Sequence, residues 1–202
     1  MIIIISGFAG SGKSTLAEKL AEHFNLKCVH ASGILKQLKE KNIDDVNTEK
    51  AEKGMGFWEG KGGEAMMKAR AESGDMDLTL DKKLLEIIEA GNVVLDSKTM
   101  GYLSKKGIKV WLDASLETRA KRVAERDNLD AKSVKEKLAR RDETDKAIYK
   151  KLYGFDLGGG VKERFDVVID THTFGIEETF KAATRGIEKL EGKKGGKKQS
   201  AK

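Results

Sequence analysis

Residues 2–14 read IIIISGFAGSGKS, and this stretch decides the fold. The four isoleucines at 2–5 are apolar and β-branched and stop at a Ser-Gly pair, which is typical of a strand buried in a parallel sheet. Residues 7–14 then match the pattern G-x-x-x-x-G-K-[ST] in full. Residues 13–25 follow with apolar side chains spaced for one helix face. A strand, a glycine-rich turn and a helix in this order predict a phosphate-binding loop (P-loop).

The chemistry of such a loop predicts a nucleoside triphosphate ligand. Glycines let backbone amides turn inward around a phosphate, and the next helix directs the positive end of its dipole at the same anion. Lys13 is expected to reach the β- and γ-phosphates, and the Ser14 hydroxyl is expected to ligate Mg²⁺. The predicted nucleotide-binding residues are Gly7, Phe8, Ala9, Gly10, Ser11, Gly12, Lys13, Ser14 and Thr15.

The rest of the chain alternates strands and helices. Further strands are predicted at 27–30, 92–96, 109–113 and 166–170. Helices are predicted at 13–25, from an N-cap at Ser32, and at 64–73, 79–90, 115–127, 131–152 and 176–190. This alternation predicts a P-loop NTPase fold of the α/β class, with a five-stranded parallel sheet flanked by helices on both faces. Ligands bind such sheets at the carboxyl ends of the strands, where the P-loop and the aspartates that end three strands, Asp96, Asp113 and Asp170, would lie.

The composition argues against several classes of protein. No apolar run approaches the roughly 18 residues that cross a bilayer. The single cysteine, Cys28, has no internal partner for a disulfide, and the three histidines show no metal-ligand spacing. We therefore expect a cytoplasmic protein without a membrane partner, in which the histidines have structural or surface roles.

Most of the net positive charge lies at the C-terminus. The chain has a formal charge of +6, and residues 192–202 contribute five lysines and no acidic residue, which leaves +1 for residues 1–191. We predict a single domain over 1–190 and a flexible basic tail over 191–202. Nucleic acid is not an expected partner, except through this tail, and the expected state is a monomer.

Beyond the P-loop, the order of several segments resembles the cytidylate kinase family, in its short archaeal type, within the nucleoside monophosphate kinases. The similarity runs from residue 1 to about 190. It is carried by MIIIISGFAGSGKSTLAEKLAE (1–22), ASGILKQL (31–38), DMDLTLDKK (75–83), VVLDSKTMGYL (93–103), VWLDASLETRAKRVAER (110–126), RRDETDKAIYKKLYGFD (140–156) and FDVVIDTHTFGIEETF (165–180). The GTPase motif N-K-x-D does not occur in the sequence.

The resemblance implies an activity and two functional regions. The activity is transfer of the γ-phosphoryl group of ATP, with Mg²⁺, to a small-molecule acceptor that is a nucleoside monophosphate, with CMP or dCMP as the leading candidates. Residues 31–91 would form an acceptor-binding helical region, and residues 127–153 would form a short helical lid over the phosphates.

The resemblance also implies roles for single residues. The catalytic candidates are Lys13, Arg122, Arg126 and Arg141, of which Arg122 is the first choice for holding the transferring phosphoryl group. The metal-site candidates are Ser14 and Asp96. The acceptor-binding candidates are Ser32, Gly33, Lys36, Gln37, Asp77, Asp81 and Lys98. A second interpretation of the arginines on helix 115–127 is a solvated face with salt bridges.

Two pairs of residues allow alternative interpretations. Asp77 and Asp81 lie one helical turn apart, and they would either accept hydrogen bonds from a cytosine amino group or compensate a helix dipole. Phe57 and Trp58 lie in the glycine-rich segment 54–63, where they would stack on a base, cover the acceptor pocket or dock on a helix.

The sequence departs from the family pattern where arginines are expected. Gln37, Lys146 and Ile148 stand in place of arginine, and Ser97-Lys98 stand in place of a glycine-arginine pair. Two of these changes fall where an acceptor phosphate would bind, and lysine lacks the planar fork with which arginine holds phosphate. A kinase for another small acceptor, such as AMP or a non-nucleotide, and a nucleotide-dependent RNA-binding protein with weak kinase activity therefore stay open as alternatives.

Overall fold

The isoleucine run forms the central strand of a parallel sheet. The computed structural model describes residues 1–38, 57–58 and 60–199, with side chains up to residue 192. The strands are β1 (Ile2–Ser6), β2 (Lys27–His30), β3 (Val93–Asp96), β4 (Ile108–Asp113) and β5 (Val167–Asp170). Their order across the sheet is β2-β3-β1-β4-β5, and every neighbouring pair is parallel. The predicted five-stranded parallel sheet is confirmed.

Helices cover both faces of the sheet. In the described residues they are α1 (Lys13–Phe24), α2 (Ala31–Leu38), α3 (Lys61–Ser73), α4 (Asp75–Ala90), α5 (Met100–Leu103), α6 (Leu116–Asp127), α7 (Ala131–Tyr153), α8 (Val161–Arg164) and α9 (Ile176–Gln199). Successive side chains of β1 point to opposite faces. Ile4 packs with residues of α2 and α4, whereas Ile3 and Ile5 pack with residues of α1 and α9. One apolar strand therefore contributes to two cores.

The parallel register sets the functional edge of the sheet. Asp96, the last residue of β3, is paired with Ile5 of β1 on one side and with His30 of β2 on the other. Because β1, β2 and β3 end at the same level, the P-loop, the start of α2 and Asp96 meet at one edge.

An aromatic cluster anchors the end of α7 to the sheet. Trp111 of β4 contacts Tyr102 and Phe165, and the ring of Phe155, just after α7, stacks on Tyr102 with the centroids 4.5 Å apart. Trp111 is buried in the cluster. The chain that follows α7 is thereby fixed at the edge where the P-loop lies.

The described structure departs from the predicted helix bounds in several places. α2 follows β2 without a linking residue, so Ser32 lies inside the helix and does not cap it. Gly74, with φ of 76°, separates α3 from α4, so that α4 begins at Asp75 and not at 79, and α3 begins at Lys61 and not at 64. α5 and α8 have four residues each, too few to give a periodic signal. α9 continues to Gln199, past the predicted end at 190.

Several predicted regions extend beyond the described residues. The acceptor-binding region 31–91 includes residues 39–56 and 59, and the tail 191–202 includes residues 200–202, all of which lie outside the described part. Residues 127–153 correspond to the end of α6, a turn and α7. The division into these regions stays a prediction.

The close approach of α5 to the sheet gives a stability prediction. A Cβ atom on Gly101 would overlap the ring of Phe165 and lie 2.7 Å from Ser6 Oγ. We expect Gly101→Ala to lower the free energy of unfolding by about 1–3 kcal/mol, because a tightly packed site has no room for the methyl group. Urea unfolding followed by circular dichroism measures this change.

Gly192→Ala is the matched control, because a Cβ atom there has no atom within 4 Å. The control should be neutral or slightly stabilising, since alanine favours a helix. Equal stability of Gly101→Ala and the parent would contradict this description of the packing.

Candidate active site

The P-loop lies tightly against the sheet and α6. Gly7 has φ of 145° and Gly10 has φ of 82°, values that side chains disfavour. A Cβ atom at Gly7 would lie 2.6 Å from the Leu112 carbonyl oxygen, and one at Gly10 would lie 2.9 Å from the Arg119 carbonyl oxygen. The Lys13 ammonium donates a hydrogen bond to the Phe8 carbonyl at 2.9 Å, across the loop. The loop therefore has the closely curled backbone that the motif requires.

The structure brings together Ser14 and Asp96, the two metal-site candidates. Ser14 Oγ donates a hydrogen bond to Asp96 Oδ2 at 2.6 Å. Burial disfavours the charge on Asp96, but hydrogen bonds from His30 and Ser14 and the charge of Lys13 hold the pKa of the carboxyl below its ordinary value. Desolvation lowers the pKa of Lys13 to about 8, although Asp96 partly offsets the effect.

His30 has a structural role in this cluster that its sequence position does not specify. Its Nδ1 lies 3.1 Å from Asp96 Oδ2, and the residue is 7% exposed. Burial would lower the pKa of His30, but the hydrogen bonds with Asp96 and Cys28 raise it to about 10. The histidine therefore contributes a buried hydrogen-bonding group beside the metal-site candidates.

Two pockets meet at the P-loop. The α2–α7 pocket is lined by Ala9, Gly10, Lys13, Ser14, Ala31, Ser32, Leu35, Trp58, Arg70, Leu80, Asp96, Ser97, Lys98, Thr99, Val123, Arg126, Arg141, Asp145 and Tyr149. The α1–α9 pocket is lined by residues 10–16 with Arg122, Val123, Arg126, Thr171, Phe174, Gly175, Ile176 and Thr179. Both linings include Lys13, Ser14 and Arg126, so the two cavities share the phosphate end of α1.

Buried charges are paired in the α2–α7 pocket. Asp145 of α7 forms an ion pair with Lys98, and Arg70 Nη1 of α3 lies 2.9 Å from Asp145 Oδ1. Burial would raise the pKa of Asp145, but Lys98, Arg70 and Arg141 hold it well below the usual range. Desolvation lowers the pKa of Lys98, and Asp145 opposes that shift. One carboxylate therefore compensates cations from two other segments of the chain.

Asp77 and Asp81 lie beneath this pocket and do not line it. Asp77 Oδ1 accepts hydrogen bonds from Arg70 Nη2 at 2.7 Å and from the Tyr149 hydroxyl at 3.2 Å. Asp81 accepts hydrogen bonds from Thr99 and Tyr153, and burial raises its pKa to about 6. In this structure both carboxylates support the polar wall of the pocket, and their contact with an acceptor base stays a prediction.

The Trp58 ring covers one side of the α2–α7 pocket. The guanidinium of Arg141 stands over this ring, 4.4 Å from its centroid. Trp58 also packs in the core cluster that contains Leu35 and Leu80. Of the alternatives for the Phe57-Trp58 pair, this geometry corresponds both to a cover of the pocket and to docking on helices, since Leu35 lies in α2 and Leu80 in α4.

The arginines of α6 separate into different environments. Arg119 is buried and pairs with Asp142 of α7 at 2.7 Å. Arg122 donates hydrogen bonds to Thr171 and lines the α1–α9 pocket but not the α2–α7 pocket. Arg126 lines both pockets. The structure thus brings Arg126 and Arg141 to the α2–α7 pocket and places Arg122 at the other one.

The remaining acceptor candidates are divided in the same way. Ser32 and Lys98 line the α2–α7 pocket, whereas Gly33, Lys36 and Gln37 are not part of its lining. The ammonium of Lys36 lies 5.4 Å from the centroid of the Phe57 ring. Gly33 is buried within α2.

Four further site residues emerge from the structure: Arg70, Asp145, Tyr149 and His30. Asp145 had a signal in the sequence, because it follows Arg141 by four positions and therefore shares its helix face. Arg70 and His30 had none, since the site residues that they contact, Asp145 and Asp96, are distant from them in the chain.

The residues present fit a magnesium nucleotide. The Ser14 hydroxyl and the Asp96 carboxylate are oxygen donors of the kind that Mg²⁺ prefers. At Gly12, with φ of 97°, an added Cβ atom would meet no atom within 4 Å, which leaves space at the N-terminus of α1 for a phosphate. In the described residues no group of three or more His, Cys, Asp or Glu side chains is arranged to hold a metal by itself. The same part of the chain contains no helix with the length and apolar character needed to cross a bilayer.

Sequence comparisons place cytidylate kinases among the relatives of this chain. A family model described as the cytidylate kinase-like family matches residues 2–173. The cytidylate kinase of Pyrococcus horikoshii is 32% identical over 202 residues, which cover 98% of this chain and 95% of that protein. The cytidylate kinase of Methanocaldococcus jannaschii is 32% identical, over 94% of this chain and 99% of that protein.

Structural comparisons support the fold. An uncharacterized protein from Eubacterium ventriosum superposes with a TM-score of 0.63 at 18% identity, covering 93% of this chain and 98% of its own. The shikimate kinase of Bacteroides thetaiotaomicron gives a TM-score of 0.56 at 13% identity, and the match covers 95% of this chain and 98% of that protein. Together with the P-loop and the sheet order, these matches confirm the predicted P-loop fold.

The buried ion pairs of Asp145 predict a pH-dependent contribution to stability. Asp145→Asn should lower the free energy of unfolding at pH 7 by about 3 kcal/mol, because it leaves Lys98 and Arg70 without a carboxylate. The folded pKa of Asp145 lies below that of the unfolded chain, about 3.9. The stabilisation is therefore complete above that value and is lost as the pH falls below it.

Urea unfolding of parent and variant at pH 7 and pH 3 tests this expectation. Asp156→Asn is the matched control, because its ion pair with Lys150 is 3.0 Å long but exposed, and its loss should cost less than about 1 kcal/mol. A stability difference between the parent and Asp145→Asn that is equally large at both pH values would contradict the lowered pKa of Asp145 in the folded protein.

Proposed function

The chain belongs to the cytidylate kinase-like family, and from this premise we propose that it transfers the γ-phosphoryl group of ATP to CMP or dCMP. Family membership makes it a nucleoside monophosphate kinase. The choice of a cytidine nucleotide as acceptor is the proposed part. It is supported by relatives named cytidylate kinase that align over nearly the whole chain.

The observation that carries the proposal is the meeting of two pockets at Lys13 and Ser14. Phosphoryl transfer requires a donor and an acceptor whose phosphates approach from opposite sides of one group. We assign the α1–α9 pocket to the donor nucleoside, because it surrounds the start of α1. The α2–α7 pocket, with its cations, is assigned to the acceptor.

Each cationic residue has a proposed task in the transfer. Lys13 and Arg126 lie where the two pockets meet and would stabilise charge on the transferring group. Arg141, held over Trp58, would bind the acceptor side and help to exclude water from the site. Mg²⁺, at Ser14 and Asp96, would neutralise charge on the phosphates. No covalent intermediate is needed, since positioning and electrostatics supply the catalysis.

A different acceptor is the second candidate. Asp77 and Asp81, the expected base-binding residues, are both turned to partners within the protein. The ammonium of Lys98 is paired with Asp145, which reduces its attraction for a phosphate. These contacts favour a kinase of the same fold whose acceptor is recognised by other groups, and a substrate panel distinguishes the two candidates.

The test is an ADP-release assay with ATP, Mg²⁺ and a panel of CMP, dCMP, UMP, AMP, GMP and shikimate. We predict that kcat/KM for CMP or dCMP exceeds that for each other acceptor by about tenfold or more, a difference that one or two unmatched hydrogen bonds would produce. Preference for a different acceptor would identify that acceptor, and not a cytidine nucleotide, as the substrate. Turnover that no acceptor stimulates would remove the kinase assignment.

Lys13→Ala tests the contribution of the P-loop lysine to phosphoryl transfer. It should reduce kcat/KM for every active acceptor by about 100-fold or more, which corresponds to the loss of roughly 3 kcal/mol of transition-state stabilisation. The fold should be retained, because the ammonium contacts only the loop carbonyl of Phe8 among its described hydrogen bonds. A folded variant with turnover within tenfold of the parent would contradict the role of the P-loop.

A further inference from the structure

His30 makes a contact that the kinase chemistry described above does not use. It is the last residue of β2, and the parallel register pairs it with Asp96, the last residue of β3. Its Nδ1 lies 3.1 Å from Asp96 Oδ2. An ionised carboxylate can only accept hydrogen bonds, so the imidazole must donate from Nδ1.

The oxygen that His30 contacts is also the one that Ser14 contacts. Ser14 Oγ donates to Asp96 Oδ2 at 2.6 Å, so two donors from different segments converge on one carboxylate oxygen. A hydroxyl that donates its proton to Asp96 keeps its lone pairs available for a cation. Rotation of the Asp96 carboxylate would therefore misdirect the Ser14 hydroxyl.

The imidazole ring is held from its other side as well. Nε2 lies 3.4 Å from Glu18 Oε1 of α1 and 3.6 Å from Cys28 Sγ, two residues earlier in β2. His30 is 7% exposed, so most of the ring is shielded from solvent. Both ring nitrogens have partners, and the orientation of the ring is fixed.

We propose that His30 is a positioning residue for the magnesium nucleotide. It holds the carboxylate of Asp96, and through Asp96 the hydroxyl of Ser14, in the orientation that binds Mg²⁺. The inference rests on the proposed function in one respect: it takes Ser14 and Asp96 as the residues that bind the Mg²⁺ of the nucleotide. It requires no particular acceptor. Groups that orient metal ligands typically change metal affinity by about 10–100-fold when they are removed.

The experiment measures the binding of ADP by calorimetry, once with Mg²⁺ and once with EDTA. The ratio of the two dissociation constants reports the contribution of the metal. For His30→Ala we expect this ratio to fall by about tenfold or more, while the affinity for ADP in EDTA changes less than about threefold. A general disruption of the site would weaken binding in both conditions.

Two amide substitutions at position 30 distinguish the roles of the two ring nitrogens. The amide nitrogen of asparagine can occupy the position of Nδ1, and that of glutamine the position of Nε2. His30→Asn should therefore retain most of the magnesium effect, and His30→Gln should lose as much of it as His30→Ala. The control is His23→Asn. His23 lies on α1, is partly exposed, and has its Nε2 3.6 Å from Glu188 Oε1, so this variant should show the same magnesium effect as the parent.

Two outcomes would overturn the proposal. One is a magnesium effect in His30→Ala within twofold of the parent. The other is an equal loss of the magnesium effect in His30→Asn and His30→Ala, because a hydrogen-bond donor at the position of Nδ1 would then make no difference. Circular dichroism shows which variants fold, and His30→Gln takes the place of His30→Ala in both comparisons if His30→Ala does not fold. Neither result depends on phosphoryl transfer, so failure here is distinct from failure of the cytidine assignment.

Discussion

The hydrogen bond from Ser14 to Asp96 is the contact on which the site depends. It joins the first turn of α1 to the end of β3, across 82 positions in the chain. It can form only because β1 and β3 are adjacent and parallel, with Ile5 in register with Asp96. The buried isoleucines of β1 hold that register, since a shift by one residue would turn the apolar side chains to the wrong faces. The hydrophobic pattern of one short strand thus places a hydroxyl beside a carboxylate.

The second constraint is charge compensation within the α2–α7 pocket. Two helices, α3 and α7, and the loop after β3 bring Arg70, Arg141 and Lys98 to a wall of the pocket. Asp145 forms ion pairs with two of these cations, Arg70 and Lys98, and Asp77 pairs with Arg70 from behind. Cations held in this way can meet an anionic ligand at low cost in reorganisation, because the protein has already fixed their positions.

The sequence predicted the sheet and the P-loop, because each depends on local pattern or on the general geometry of parallel sheets. The pairing of Ser14 with Asp96 was implied by the family resemblance. It did not predict the placement of Arg122 at the α1–α9 pocket, since helix spacing gives a shared face but not the neighbour of each side chain. Asp77 and Asp81 were recognised as a pair, but their partners Arg70, Tyr149 and Tyr153 depend on tertiary packing. The contact between His30 and Asp96 follows from strand order, which the sequence did not predict.

The central claim is that donor and acceptor nucleotides occupy the two pockets at once and share the P-loop between them. Its most direct test is calorimetric titration with cytidine and adenosine joined through five phosphates, which spans both sites. The account predicts that this compound binds at least about tenfold more tightly than ADP or CMP alone, because the linked groups are held together. The diadenosine analogue should bind less tightly. Affinity no higher than that of ADP, or preference for the diadenosine compound, would contradict the account.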